Sequence, residues 1–169
     1  MSALTIYCNA DLGDEAMTRL RGGVGSHRLI LPEGGAVGVL GVGALDPRLD
    51  GADVVFGQPV AEQVMAAPGV RWVHITSAGY TRYDRDDLRR AFTARGAALT
   101  KSSLVYDEPC ALQVLAFMCA QARQLPAALD SQRGPRGWPH LPLRSRSSLL
   151  RDEKAVLVGF GSIARRGRR

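Results

Sequence analysis

The residues most suggestive of chemistry lie near the end of the chain, in a glycine-rich run that follows four apolar residues. Residues 155–158 predict a short strand, and Gly159-Phe-Gly-Ser-Ile-Ala164 then fits the pattern G-x-G-x-x-(G/A). The first glycine permits a tight turn, the second lets backbone amides approach a pyrophosphate, and the small third residue lets a helix pack on the strand. The motif predicts a dinucleotide-binding turn, although an ordinary glycine-rich turn between a strand and a helix fits the residues equally well.

A complete dinucleotide-binding unit needs more chain than follows this motif. Such a βαβ unit spans about 30 residues and carries an acidic ribose-binding residue about 20 positions further on. Only residues 165–169 follow Ala164, and none of them is acidic. We therefore expect residues 153–169 to be the start of a truncated nucleotide-binding domain.

Other catalytic and metal-binding patterns are missing from the sequence. His27, His74 and His140 have no second ligand at metal spacing, and no nucleophile elbow, P-loop or carboxylate pair is present. The sequence therefore predicts no metal site and offers no catalytic residue of its own.

Short strands alternate with short helices over the first hundred residues. Apolar runs predict five strands, at 4–8, 27–31, 52–57, 70–76 and 97–100. Periodic apolar positions predict helices between them, at 14–21, 60–67 and 84–95, and the glycine-rich residues 34–51 predict a loop. This alternation predicts an α/β domain over residues 1–103, a doubly wound parallel sheet with helices on both faces.

A longer apolar helix is predicted to open the second part of the chain. The acidic residues before Pro109 mark its start and Pro126 its end, so we expect it over 108–125, within a segment 104–130. It is apolar nearly all round, which predicts burial between domains or subunits. Residues 131–152, with three prolines, predict a linker.

Composition predicts a soluble globular protein. Of the 169 residues, 46% are hydrophobic, and no apolar run reaches the roughly 18 residues of a membrane span. The net charge of +6 comes from residues 133–169, which carry +8, against −2 for residues 1–132. No aromatic residues alternate with the last arginines, so nucleic-acid binding is not favoured. Three unpaired cysteines and the lack of a signal sequence predict a cytoplasmic location.

The order of the segments resembles one family, the D-isomer-specific 2-hydroxyacid dehydrogenases. Residues 72–80 (WVHITSAGY) resemble the strand and substrate loop of that family, and residues 95–100 resemble its next helix end and strand. Residues 110–125 resemble its interdomain helix. Gly137-Trp138 and residues 149–165 resemble its linker and cofactor strand. The similarity covers all but the last four residues.

The resemblance implies a flavodoxin-like substrate domain, a long interdomain helix and the first βα turn of a Rossmann domain that binds NAD or NADP. In that family, hydride passes between the nicotinamide and the α-carbon of a small 2-hydroxy or 2-oxo acid. The resemblance implies that the backbone amides of Ser77, Ala78 and Gly79 meet the substrate carboxylate. It also implies a pyrophosphate turn, made by Gly159, Gly161, Ser162 and Ile163. A homodimer through the helix at 108–125 is consistent with the resemblance.

Two departures from the family bear on activity. Where the family usually has Val-Ala-Glu-His, this sequence has Cys110-Ala-Leu-Gln113. The family's catalytic arginine, glutamate and histidine lie well beyond the glycine-rich turn, so the resemblance gives none of those roles to this chain. The leading hypothesis is a truncated dehydrogenase that is inactive by itself. The alternative is a non-catalytic interaction or regulatory module that pairs with an intact homologue, and a receiver-type domain is disfavoured because its acidic cluster is missing.

Overall fold

The computed structural model describes residues 2–167, which form two compact units, the first ending at Ser103 and the second beginning at Leu104. The first unit contains five strands: β1 (Thr5–Cys8), β2 (Arg28–Ile30), β3 (Val54–Gly57), β4 (Trp72–Ile75) and β5 (Ala98–Lys101). They form one sheet in the order β2-β1-β3-β4-β5, and every pairing is parallel. This is the flavodoxin-like order of a doubly wound sheet, and it confirms the predicted fold class.

Three helices connect the strands of this unit: α1 (Asp14–Gly23), α2 (Ala61–Ala66) and α3 (Asp86–Arg95). Their ends follow from local sequence. Helix α3 begins with two acidic residues, which favour a helix N-terminus, and ends at Gly96. Gly96 has a φ of 67°, and its amide donates to the carbonyls of Phe92 and Thr93. The predicted helices are confirmed, with ends that differ by one or two residues.

The hydrophobic core lies on the sheet face that α2 and α3 cover. Its strand residues include Tyr7, Val55 and Val73, which pack with Val64 of α2 and Phe92 of α3. Helix α1 makes the crossover from β1 to β2, which runs along the sheet in the direction opposite to the later crossovers. Because such crossovers are right-handed, α1 belongs to the other face.

Among the described residues of the second unit, all regular secondary structure is helical. Its helices are α4 (Asp107–Ala122), α5 (Leu125–Arg133), α6 (His140–Arg146) and α7 (Ser162–Gly167). The helix predicted over 108–125 is therefore shorter than expected. Pro126 has no amide to donate to the carbonyl of Ala122, so α4 stops, Gln124 adopts a φ of 55°, and a new helix begins. The segment predicted as a linker, 131–152, contains the end of α5 and all of α6.

One further expectation for the second unit is wrong. Residues 155–158 form no strand, and Val156 and Val158 are exposed. A parallel strand needs a neighbour for its hydrogen bonds, and residues 104–167 contain no other strand. Burial of α4 between domains or subunits stays a prediction, and in the single chain Leu115 and Phe117 are about half exposed. Among residues 2–167, none of the helices combines the length and apolar character needed to cross a membrane.

Candidate functional site

The predicted carboxylate-binding loop, Ser77-Ala78-Gly79, is separated by one residue from the end of β4, at the carboxyl edge of the sheet. Ser77 Oγ donates to the Gly79 carbonyl at 2.7 Å, which closes the loop into a tight turn. In the described part of the chain, the backbone amides of these three residues donate to no protein acceptor. No atom lies within 4 Å of the position that a Cβ on Gly79 would occupy. The loop therefore offers amide donors and clearance to a small anion.

A buried amide network supports the sheet edge beside this loop. Asn9 follows β1 and Gln58 follows β3, and both are 2% exposed. Asn9 Oδ1 accepts from the Gln58 backbone amide at 2.8 Å, and Asn9 Nδ2 donates to the Gln58 carbonyl at 3.2 Å. Gln58 Nε2 donates to Thr76 Oγ1 at 3.0 Å, one residue before the loop. The network ties the ends of three strands together and holds the start of the loop in place.

The glycine-rich loop at residues 34–43 is attached to the same edge. Arg82 donates to the carbonyls of Leu40 and Gly41, and the Gly43 amide donates to the Gln58 carbonyl at 3.0 Å. A Cβ on Gly43 would lie 2.7 Å from Asn9 Nδ2, so the close approach of this loop requires glycine. The loop predicted from composition is therefore held at this edge of the sheet by hydrogen bonds from Arg82 and to Gln58.

A buried carboxylate fixes the far end of that loop. Asp46 accepts from Tyr7 Oη at 3.1 Å and from the backbone amides of Arg48 and Glu33 at 3.0 and 3.3 Å. Burial alone would raise the pKa of Asp46, but these hydrogen bonds outweigh it and lower the pKa below its usual value. Burial, together with Asp46, raises the pKa of Tyr7 well above its ordinary range.

The predicted pyrophosphate turn lies within the second unit. Gly159 has a φ of 93°, a conformation that favours glycine, and no atom lies within 4 Å of a Cβ built on Gly159 or Gly161. Ser162 begins α7, and its Oγ donates to Asp107 Oδ1 at 2.6 Å. Ile163, the fourth predicted residue, is 42% exposed.

A cavity of about 370 Å³ opens beside this turn. Its walls come from Gly161 and Ser162, from the carboxylate of Asp107, and from Arg165 and Arg166. The open backbone and the two arginines fit a phosphate group, and Asp107 opposes one. The turn therefore fits the pyrophosphate of a dinucleotide locally, while the strand that usually precedes such a turn does not form.

The histidines occupy positions unrelated to either predicted binding element. His27 Nδ1 accepts from the Leu4 amide at 3.1 Å. His74 lies on β4. Its Nδ1 is 2.7 Å from Oγ1 of Thr100 on β5, and its Nε2 is 2.9 Å from Oγ of Ser102, the residue after β5. No group of three potential metal ligands occurs within residues 2–167.

Sequence reasoning missed Asn9, Gln58 and Arg82. Asn9 and Gln58 each carried a signal, because each is a polar residue directly after a buried strand, at the edge where open α/β sheets bind ligands. Arg82 carried none, since its partners are backbone carbonyls about 40 positions away.

Comparisons with known proteins bear on the fold. No family model and no curated protein matches the sequence. Among solved structures, a phosphoglycerate oxidoreductase from Rhizobium etli matches with 19% identity and a TM-score of 0.64 over 98% of this chain and 51% of its own. An NADPH-dependent glyoxylate/hydroxypyruvate reductase from Sinorhizobium meliloti, in complex with NADP and malonate, matches with 20% identity and a TM-score of 0.62 over 99% and 49%.

A third structure, D-lactate dehydrogenase from Aquifex aeolicus complexed with NAD and lactic acid, has 13% identity and a TM-score of 0.68 over 96% of this chain and 46% of its own. The chain thus spans about half the length of each of these three structures. Its five parallel strands and their helices have the fold of the D-2-hydroxyacid dehydrogenases.

Proposed function

We propose that this chain is part of an NAD(P)-dependent oxidoreductase of the D-2-hydroxyacid dehydrogenase type, which transfers hydride between a nicotinamide and the α-carbon of a small 2-hydroxy or 2-oxo acid. The observation that carries the proposal is the loop Ser77-Ala78-Gly79. Within residues 2–167 its three backbone amides donate to no protein acceptor, and it lies at the carboxyl edge of a sheet with this fold.

The first unit would bind and orient the acid. A carboxylate on the loop would accept from backbone amides that donate to no protein acceptor within residues 2–167, so no existing hydrogen bond of these amides would have to break on binding. The amide network of Asn9 and Gln58 would keep the loop at a fixed height above the sheet. Both roles are positioning roles, and neither moves a proton.

The second unit would contribute to cofactor binding through its glycine-rich turn. When bound, the nicotinamide dinucleotide supplies or accepts the hydride. The backbone at Gly159 and Gly161 would allow its pyrophosphate to approach, and Ser162 and Ile163 would offer amides at the start of α7. Arg165 and Arg166 would offset the negative charge of the phosphates.

We further propose that the 169-residue polypeptide is inactive by itself. Oxidation of a hydroxyl group also needs a base within hydrogen-bonding reach of its proton. Within residues 2–167, both ring nitrogens of His74 are engaged by hydroxyl groups, and His27 accepts from a backbone amide. None of these contacts involves the loop at 77–79.

Carboxylate binding tests the proposal directly. Glyoxylate or malonate added to ¹⁵N-labelled protein should shift the amide resonances of residues 77–79 in a saturable way. Ala78→Pro deletes one amide donor and should weaken binding, while Ala78→Ser keeps all three amides and the hydrogen bond from Ser77 Oγ to the Gly79 carbonyl, and should bind as the wild type does. If neither acid shifts these resonances in folded wild-type protein, the proposal fails.

One observation favours the non-catalytic alternative. Helix α4 exposes several large apolar side chains, and exposed apolar area of this kind favours association with another protein chain. We propose pairing with a second copy or an intact homologue through Leu112, Val114, Leu115 and Phe117. Light scattering should give a dimer mass for the wild type and a monomer mass for Phe117→Glu, whereas Gln113→Glu should stay dimeric. A monomeric wild type would rule out pairing between copies of this chain.

A further inference from the structure

A lysine stands beside the candidate carboxylate loop. Lys101 ends β5, and its Cα pairs in register with that of Ile75, the last residue of β4. The loop at 77–79 begins two residues after Ile75, so Lys101 lies at the same edge of the sheet, one strand away. Its ammonium group Nζ lies 4.5 Å from the centroid of the Tyr80 ring, and Tyr80 is the residue that follows the loop.

The charge of Lys101 is not neutralised by a carboxylate. In the described part of the chain, Lys101 takes part in no ion pair. Among the arginines that follow the loop in sequence, Arg85 and Arg89 are paired with acidic side chains, and Arg82 donates to two backbone carbonyls. A cation over an aromatic face is held by the ring but keeps its formal charge available to an anion.

We propose that Lys101, held by Tyr80, forms a second anion subsite that selects acids with two carboxylates. This inference rests on the proposed function, because the first carboxylate is assigned to the amides of residues 77–79. Those amides are neutral donors, and they are satisfied by one carboxylate. The ammonium group on the next strand is then left for a second acidic group at the other end of a short substrate.

Malonate and acetate separate one carboxylate from two. Malonate should bind more tightly than acetate by about two- to fivefold beyond the statistical factor of two that its two equivalent carboxylates give it. This excess, the malonate preference, is the effect of one exposed charge pair. The preference should fall as the salt concentration is raised, because Lys101 is solvent-exposed and dissolved ions screen its attraction to a carboxylate. Affinities are measured from the shifts of the 77–79 amide resonances in full-length protein.

Variants identify the responsible charge. Lys101→Met should abolish the malonate preference, because malonate would then bind through one carboxylate only, as acetate does. Lys101→Arg should keep most of the preference. The chain has one other lysine, so Lys154→Met is a matched control that removes the same net charge and should leave the preference unchanged. Reductive ¹³C-methylation labels both lysines without removing their charge, and malonate should shift the Lys101 signal but not the Lys154 signal.

The outcomes separate this inference from the proposed function. A malonate preference that Lys101→Met abolishes and Lys154→Met retains supports the subsite. If both acids shift the loop amides but malonate has no advantage, or if Lys101→Met keeps the advantage, the subsite is wrong and the loop assignment stands. If neither acid shifts the loop amides, both proposals are wrong.

Discussion

Replacing Asn9 tests whether the amide network holds the sheet edge in place. Asn9→Ala removes the acceptor of the Gln58 backbone amide and the donor to the Gln58 carbonyl. The carbonyl keeps its second donor, the Gly43 amide at 3.0 Å, but the Gln58 amide is left buried without a partner. The two groups therefore suffer unequal losses.

The expected cost follows from that inequality. A buried donor left without an acceptor costs about 1–3 kcal/mol, and losing a hydrogen bond to a carbonyl that keeps another donor costs about 0.5–1.5 kcal/mol. We expect Asn9→Ala to lower the free energy of unfolding of the first unit by about 2–4 kcal/mol, out of the 5–15 kcal/mol typical of a domain. Asn9→Asp keeps the acceptor but directs a carboxylate oxygen at the Gln58 carbonyl, so its destabilisation should ease as the pH falls and the carboxylate is protonated.

Urea unfolding followed by tryptophan fluorescence measures this cost. The two tryptophans lie in different units, so a Trp138→Phe background leaves Trp72 as the reporter of the first unit. A loss below about 1 kcal/mol for Asn9→Ala would refute the reasoning, since it would fall short of one orphaned buried amide. Urea midpoints are therefore measured from about pH 3 to pH 7, on both sides of the ordinary Asp pKa of about 3.9. Equal pH dependence of Asn9→Asp and the wild type over this range would refute the charge argument.

Three further outcomes are expected. Gly57→Ala should destabilise the first unit strongly in the same urea assay, because Gly57 has a φ of 135° and a Cβ there would lie 2.7 Å from the Ala10 backbone nitrogen; an unchanged midpoint would contradict this. Because the pKa of Asp46 is lowered, its ionised form stabilises the fold at pH values above its ordinary pKa, and this stability is lost as the pH falls through the lowered pKa. The urea midpoint of Asp46→Asn should therefore fall less steeply than that of the wild type between pH 7 and pH 2. Calorimetry should show no micromolar dissociation constant for NADH with the 169-residue polypeptide. The polypeptide should not oxidise NADH with 2-oxo acids above the buffer rate, whereas its fusion to the other half of a homologue should show turnover.

The first unit could be predicted from the sequence because its signals are local. Each strand is a run of apolar residues, and α3 carries both an acidic start and a glycine end. Alternation of such elements leaves few topologies once right-handed crossovers are required. The loop at 77–79 could be placed for the same reason, since it directly follows a strand that the sequence predicts.

The supporting contacts of the site could not be predicted, because they join residues far apart in sequence. Asn9 and Gln58 are 49 positions apart, and Ser162 and Asp107 are 55 apart. The break in α4 was missed for a different reason. The sequence predicts that Pro126 ends the helix. A proline is also well suited to the first turn of a new helix, and Pro126 occupies that position in α5.

The two predicted binding elements differ in how firmly their surroundings hold them. The substrate loop follows a central strand paired on both sides, and a network that is 2% exposed fixes its start. The glycine-rich turn follows residues without regular structure, and Ser162 at its end donates a hydrogen bond to Asp107. Buried, satisfied networks rigidify the groups they include. The predicted substrate loop is therefore the more firmly held of the two elements, whereas the predicted cofactor turn has fewer contacts to fix its position within the described residues.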